Sequence, residues 1–96
     1  MDTLINNYDT LERLIYDEDI RIKEIDIHQD IDMLLIILNT GAVLQEKLST
    51  YPRLQNASVE SLKKYKLIGK EVGIHWPDLD EDLSLKGFLR QNKMNS

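Results

Sequence analysis

The feature that most constrains the fold is a run of six apolar residues, Met33–Leu38, enclosed by turn-forming residues on both sides. Asp30-Ile31-Asp32 precedes the run and Asn39-Thr40-Gly41 follows it directly. The run is much shorter than the about 20 apolar residues of a membrane-spanning helix. Its length and its flanking turn residues favour a strand, which we expect to be central in its sheet and covered on both faces. A short loop that ends in glycine supplies the positive φ of a tight hairpin, so the sequence predicts another strand from about Ala42 to Leu48.

The N-terminal segment has the spacing of a helix. Apolar side chains recur every three or four positions in residues 1–16, which predicts a helix that carries on one face Leu4, Tyr8, Leu11 and Ile15. We assign its N-cap to Asp2 or Thr3 and its end to Asp17-Glu18-Asp19.

The spacing then changes to that of a strand. Ile20 and Ile22 alternate with charged residues, and so do Ile25 and Ile27, which predicts a strand. The two pairs are out of phase by one residue, so we expect a β-bulge near Lys23-Glu24 to restore the facing of the side chains.

The second half of the chain predicts short elements. Tyr51-Pro52 ends the third strand, because proline cannot donate to a ladder, and Ser58 is the N-cap of a helix that ends near Tyr65. A last strand from Leu67 to Trp76, with Gly69 and Gly73 at bends, ends at Pro77. A C-terminal helix begins near Ser84.

The order of elements predicts an α+β fold, with a small antiparallel β-sheet of about four strands and short helices packed on it. We divide the chain into an N-terminal helical extension (1–19), a single α+β domain (20–90) and a frayed tail (91–96). The chain has no cysteine, so no disulfide supports its thin core, and homodimerisation would bury further apolar area. The first residues lack a secretory signal, and we expect a cytoplasmic protein without a membrane span.

The net charge of −5 is unevenly distributed. Residues 1–32 carry a charge of −7, residues 33–77 carry +3 and residues 78–96 carry −1. An acidic first third repels nucleic-acid phosphates and suits a basic partner. The alternative is that the charge serves solubility alone.

The densest group of chemical side chains is Asp78, Asp80, Glu81 and Asp82. Carboxylates at 78, 80 and 82 match the first ligands of a calcium loop, but Leu83 replaces its glycine and Leu89 its bidentate glutamate. We expect these carboxylates to precede a helix N-terminus and to favour its dipole, or to form an acidic surface for a basic partner.

The remaining candidates for chemistry are two histidines and a basic stretch. His28 and His75 lack the cysteines that would complete a zinc site, so we expect no catalytic, cofactor or metal residues. A metal-dependent hydrolase that uses His75 with the Asp78–Asp82 group is one alternative function. A second is a nucleic-acid-binding module built on Lys63, Lys64, Lys66 and Lys70, in which Tyr65 alone would offer a stacking ring. We place Trp76 in the core, with its N–H bonded.

The C-terminal part of the sequence carries a family resemblance. Residues 73–89 read GIHWPDLDEDLSLKGFL, with Tyr51-Pro52-Arg53-Leu54 and Asn56-Ala57-Ser58 upstream. These motifs resemble those of the domain of unknown function family 2442, small bacterial proteins, over about residues 20–90. The resemblance implies a β-rich α+β fold and no catalytic residues. Members are similar to partners in two-gene modules and are suspected antitoxins. Some relatives continue into a helix-turn-helix domain; this sequence does not, so we do not expect operator binding.

These observations predict a non-enzymatic protein-binding domain, antitoxin-like or regulatory. The expected partner is a basic small protein, a cognate toxin in the antitoxin case; a structural homodimer is a further alternative. The predicted contact residues are the two acidic groups, Asp17, Glu18 and Asp19, and Asp78, Asp80, Glu81 and Asp82.

Overall fold

The computed structural model describes residues 10–94 of the chain. Helix α1 spans Thr10–Tyr16 and buries Leu11 and Ile15, as the helical spacing predicts. Leu4, Tyr8 and the two N-cap candidates lie outside the described residues. No helix within the described range is long and apolar enough to cross a membrane.

The first sheet is an antiparallel meander. Strands β1 (Ile22–His28), β2 (Met33–Leu38) and β3 (Val43–Lys47) lie in the order β1-β2-β3. The register shifts between Ile22 and Glu24, which confirms the predicted bulge. A 3-10 helix at Gln29–Ile31 makes the first turn, and Gly41, at φ +93°, makes the second, as the hairpin signal predicts.

The central position of β2 is confirmed, but the expectation that both its faces are covered is wrong. Leu34, Ile36 and Leu38 are buried, whereas the alternate residues Met33, Leu35 and Ile37 are only half-buried. The buried residues belong to the same core cluster as Trp76 and Phe88, so the rest of the fold packs on one face.

The second half of the chain forms another three-stranded sheet. After a 3-10 helix at Leu48–Thr50, helices α2 (Pro52–Gln55) and α3 (Val59–Lys63) lead into it. Its strands β4 (Lys66–Ile68), β5 (Gly73–Trp76) and β6 (Glu81–Ser84) are antiparallel in the order β4-β5-β6, and helix α4 (Leu85–Met94) follows.

The prediction of one strand from Leu67 to Trp76 is therefore wrong. Gly69, Lys70 and Glu71 all have positive φ, between 60° and 65°, and they reverse the chain into a hairpin. The α+β class and the antiparallel pairing are confirmed, but six strands in two sheets replace a single sheet of about four.

Hydrogen bonds join the two halves around one core. Trp76 is fully buried, and its indole N–H donates to the Leu62 carbonyl at 3.1 Å, as expected. The Ile22 N–H donates to the Glu71 carbonyl at 2.9 Å, which links β1 to the β4–β5 turn. Ser58 caps α3 by accepting from the Ser61 N–H, and the Ser84 hydroxyl accepts from the Gly87 N–H at the start of α4.

Candidate functional site

The first acidic group, Asp17, Glu18 and Asp19, forms the exposed turn after α1. Asp19 has a left-handed backbone, φ 57°, and its carbonyl accepts from the Asn39 side chain at 2.9 Å. Its carboxylate is 83% exposed and lies 3.5 Å from the Arg21 guanidinium. The turn is therefore fixed by its backbone while its carboxylates face solvent.

The second acidic group does not precede a helix N-terminus. Residues 77–80 form a turn and Glu81–Ser84 is strand β6, so α4 has no acidic residue in its first turn. The expectation that these carboxylates favour the α4 dipole is wrong, because pairing with β5 holds Glu81 and Asp82 in an extended backbone. The predicted start of the C-terminal helix near Ser84 is confirmed.

The members of this group have separate partners. Asp78 lies 3.1 Å from the Lys64 ammonium and accepts from the Ser61 hydroxyl at 3.3 Å. The Asp80 backbone carbonyl accepts from Arg53 at 2.6 Å. Each contact secures the turn between β5 and β6 to the α2–α3 region, which gives this group a structural part.

The strand alternation sends Glu81 and Asp82 to opposite faces. Asp82 lies opposite His75, and its carboxylate is 2.5 Å from the His75 Nδ1. Glu81 lies opposite the buried Trp76. The pKa of Tyr51 is raised by burial, by its hydrogen bond to Glu46 and by the negative charges of Glu46 and Glu81.

Each of the two histidines pairs with a carboxylate of its own. The His28 Nε2 lies 2.9 Å from Asp26, which resembles the His75–Asp82 pair. Among residues 10–94, no group of three or more histidine or acidic side chains is close enough to hold a metal ion.

The basic stretch is spread over three elements. Lys63 and Lys64 lie at the end of α3, Lys66 lies in β4 and Lys70 lies in the turn after β4. Lys64 is paired with Asp78. Tyr65, the candidate stacking ring, is half-buried, and its ring centroid lies 6.5 Å from that of Trp76. It therefore packs against the hydrophobic core.

The structure adds a site that sequence reasoning missed, a groove of about 470 Å³ beside β1. One wall is formed by residues 25–30, which include Asp26 and Asp30, and the other by α3 and the residues after it, Val59, Leu62, Lys63 and Tyr65. Val59 is 54% exposed. A concave apolar site with a few polar groups at its margin is the usual form of a binding site.

A second, more open hollow continues along β1. It is lined by Asp19, Arg21 and Lys23 on one side and by Leu67, Lys70 and Glu71 on the other. The first acidic group therefore borders this region through Asp19. The sequence signal for the whole region was the alternation in Ile25-Asp26-Ile27-His28, which marked a strand but not its place at the edge of a sheet.

The comparisons with known proteins agree with the fold. A protein of unknown function from Rhodospirillum rubrum ATCC 11170 has a crystal structure similar to this one, with a TM-score of 0.64 and 25% identity over 75% of this chain and 87% of that chain. The solution structure of the uncharacterized protein CV0863 from Chromobacterium violaceum gives a TM-score of 0.68 and 18% identity over 96% of this chain and 84% of that chain. No curated protein matches this sequence. The model of the family described as "Protein of unknown function (DUF2442)" matches residues 22–93, and the chain belongs to that family.

Proposed function

We propose that this protein is a non-enzymatic protein-binding domain whose partner is a small basic bacterial protein, in an antitoxin-like or regulatory pair. The observation that carries the proposal is the groove beside β1, whose lining combines apolar side chains, such as Ile27 and Leu62, with the acidic residues Asp26 and Asp30. Apolar contacts of this kind supply affinity, and charges at the margin select a partner of opposite sign.

The charge distribution supports the same proposal. Residues 1–32 carry a charge of −7, and the remaining segments, at +3 and −1, bring the net charge of the chain to −5. The exposed turn at Asp17, Glu18 and Asp19 adds negative potential at the end of β1, where Asp19 borders the second hollow. Carboxylates near a binding groove raise the association rate of a partner of opposite charge.

The test is capture on the immobilised full-length chain from a lysate of the native host, followed by reconstitution from purified components. We expect one small basic protein in stoichiometric amount, with an affinity that falls as salt is raised. Expressed alone, a toxin partner slows growth, and co-expression of this chain relieves the effect. A merely regulatory partner would bind without that growth phenotype.

Two single charge reversals sharpen the test. Glu18→Lys changes the exposed turn, and Glu60→Lys makes the same change at an exposed position of α3 outside the groove lining. We expect Glu18→Lys to weaken binding and Glu60→Lys to leave it near the original value. Recovery of no stoichiometric protein, or equal effects of the two variants, contradicts the proposal.

A further inference from the structure

We infer that β1 receives an extended segment of the partner as an added strand, so that the first sheet gains a fourth strand in the complex. This inference rests on the proposed function and assigns the mode of recognition. Strand addition uses the free backbone groups of an edge strand for affinity and the alternating side chains for specificity. Strand β1 is an edge strand, since the order of its sheet is β1-β2-β3.

The hydrogen bonding of β2 shows which backbone groups of β1 point outward. The Leu38 N–H donates to the Ala42 carbonyl, so Leu38 is bonded toward β3. In an antiparallel strand the direction alternates, so Ile36 and Leu34 are also bonded toward β3. Their partners in β1 are Ile25 and Ile27, whose N–H and C=O groups must therefore point away from β2.

The contact at the start of β1 confirms this direction. Ile22 lies opposite Leu38, and its N–H donates outward to the Glu71 carbonyl at 2.9 Å. Glu71 already occupies the place of a neighbouring strand at this one position. Within residues 10–94, no backbone or side-chain hydrogen bond of this kind reaches Ile25 or Ile27, and both line the groove.

The open stretch of β1 has defined ends. At one end is the Ile22–Glu71 bond, and at the other the Gln29 side chain donates to the Ala57 carbonyl at 2.9 Å. These bonds tie the start of β1 and the turn after it to the second half of the fold, and the groove lies between them. At about 3.3 Å per residue, the interval accepts a strand of about five residues.

The side chains of β1 define the chemistry of that strand. Directly opposite residues share a face of the sheet. The positions of the added strand opposite Ile25 and Ile27 would lie over the apolar floor with Leu62 and Tyr65, whereas the position opposite Asp26 lies on the exposed face. The fitting segment alternates apolar and basic residues.

The same charges disfavour a second copy of this chain as the occupant. Antiparallel pairing of two β1 strands through Ile25 and Ile27 places Asp26 opposite Asp26 of the other copy. Like charges directly opposite each other destabilise a strand pair, and charged edges are a common protection against self-pairing.

The experiment uses the full-length chain and synthetic peptides. The probe is the acetylated and amidated heptapeptide TVKVRVT, and the controls are TVEVEVT and TVKVRVT with N-methyl groups on alternate backbone amides. NMR detects hydrogen exchange of individual backbone amides, and calorimetry gives the dissociation constant. We expect TVKVRVT to slow exchange at the Ile25 and Ile27 amides, and both controls to bind at least tenfold more weakly.

Charge-reversal variants supply the matched comparison on the protein. Asp26→Lys reverses the charge opposite the incoming basic residue, and Glu60→Lys makes the same change at a position of α3 outside the groove lining. From the energies of cross-strand charge pairs we expect about fivefold weaker binding of TVKVRVT to Asp26→Lys, tighter binding of TVEVEVT, and no change for Glu60→Lys. Unchanged spectra of the variants outside the groove show that each is folded.

The outcomes separate this inference from the proposed function. Absence of protection at Ile25 and Ile27 with millimolar TVKVRVT, or equal binding of the N-methylated peptide, overturns strand addition. If a small basic protein is captured and leaves these two amides exchanging as in the free chain, strand addition is wrong and the proposed function stands. If the peptide binds β1 but no small basic protein is captured, the proposed function fails alone.

Discussion

Asp32 joins the first turn of the sheet to the end of β3. Its carboxylate accepts from the Ser49 N–H and from the Ser49 hydroxyl, both at 2.7 Å. Its own backbone is left-handed, with φ 54°. One half-buried side chain thus holds two loops together and also tolerates a conformation that most residues avoid.

The two contributions can be separated by substitution. Hydrogen bonds to a charged acceptor contribute about 1.5–3 kcal/mol each, and we take the lower value because Asp32 is partly exposed to water. Asp32→Gly keeps the left-handed backbone and loses both bonds, so we expect a loss of about 2–3 kcal/mol. Asp32→Ala adds about 1 kcal/mol of backbone strain, and Asp32→Asn, which keeps an acceptor, loses about 1 kcal/mol.

Equilibrium urea unfolding followed by circular dichroism measures these differences. A small domain has a total stability near the lower end of about 5–15 kcal/mol, so Asp32→Ala should unfold at a much lower urea midpoint. The slope of the unfolding free energy with urea should stay unchanged, because the area exposed on unfolding is the same. Equal stabilities of Asp32→Ala and Asp32→Gly would refute the backbone argument, and an Asp32→Ala midpoint close to the original would refute the hydrogen-bond argument.

Three further substitutions test other parts of the fold. Trp76→Phe removes the donor to the buried Leu62 carbonyl and reduces the core, and urea unfolding should show a loss of about 2–4 kcal/mol; a loss below about 0.5 kcal/mol would contradict this account. Because the pKa of Tyr51 is raised in the folded state, stability should fall as pH rises above about 10, where tyrosine ionises in the unfolded chain, with a slope of at most about 1.4 kcal/mol per pH unit. Tyr51→Phe should remove that component, and identical pH profiles of the two proteins would show the reasoning to be wrong. Gly41→Ala places a side chain at φ +93° with open space around it, so thermal unfolding should reveal a backbone cost of about 1 kcal/mol, and no shift in melting temperature would count against it.

The features that the sequence predicted correctly are those set by neighbouring residues. The bulge between Ile22 and Glu24 follows from an alternation that changes phase within one strand. The hairpin at Gly41 follows from glycine's access to positive φ. The cap at Ser58 follows from its hydroxyl at a helix start.

The features that the sequence could not predict depend on distant contacts. Lys70 and Glu71 are not residues that favour a left-handed backbone, yet both adopt it in the β4–β5 turn. The Glu71 carbonyl accepts from Ile22, and the next residue, Val72, accepts from the Leu85 N–H at 2.8 Å. Tertiary hydrogen bonds therefore offset the local strain and turn one expected strand into two.

In the candidate site as well, sequence patterns predict only what neighbouring residues determine, and the rest depends on contacts between distant residues. Carboxylates favour the dipole at a helix N-terminus, so Glu81 and Asp82 suggested a helix start, and only their pairing with Trp76 and His75 reveals a strand. The groove has walls from β1 and α3, which are separated by two strands in the sequence, and no local pattern relates them.

The architecture of two short sheets leaves β1 at the edge of the first sheet. A four-stranded sheet would have placed the β4 segment beside a strand of the first sheet. Instead the chain reverses at residues 69–71, and among residues 10–94 a single backbone hydrogen bond, from Ile22 to Glu71, joins β1 to the β4–β5 turn. The remaining edge is a hazard for self-association unless charges protect it. In the proposed strand addition, Asp26, in the middle of that edge, would repel Asp26 of a second copy and attract a basic strand. In that proposal one carboxylate both disfavours self-pairing of the free chain and favours a basic partner, so the two interpretations of the acidic first third, solubility and partner choice, have a common origin.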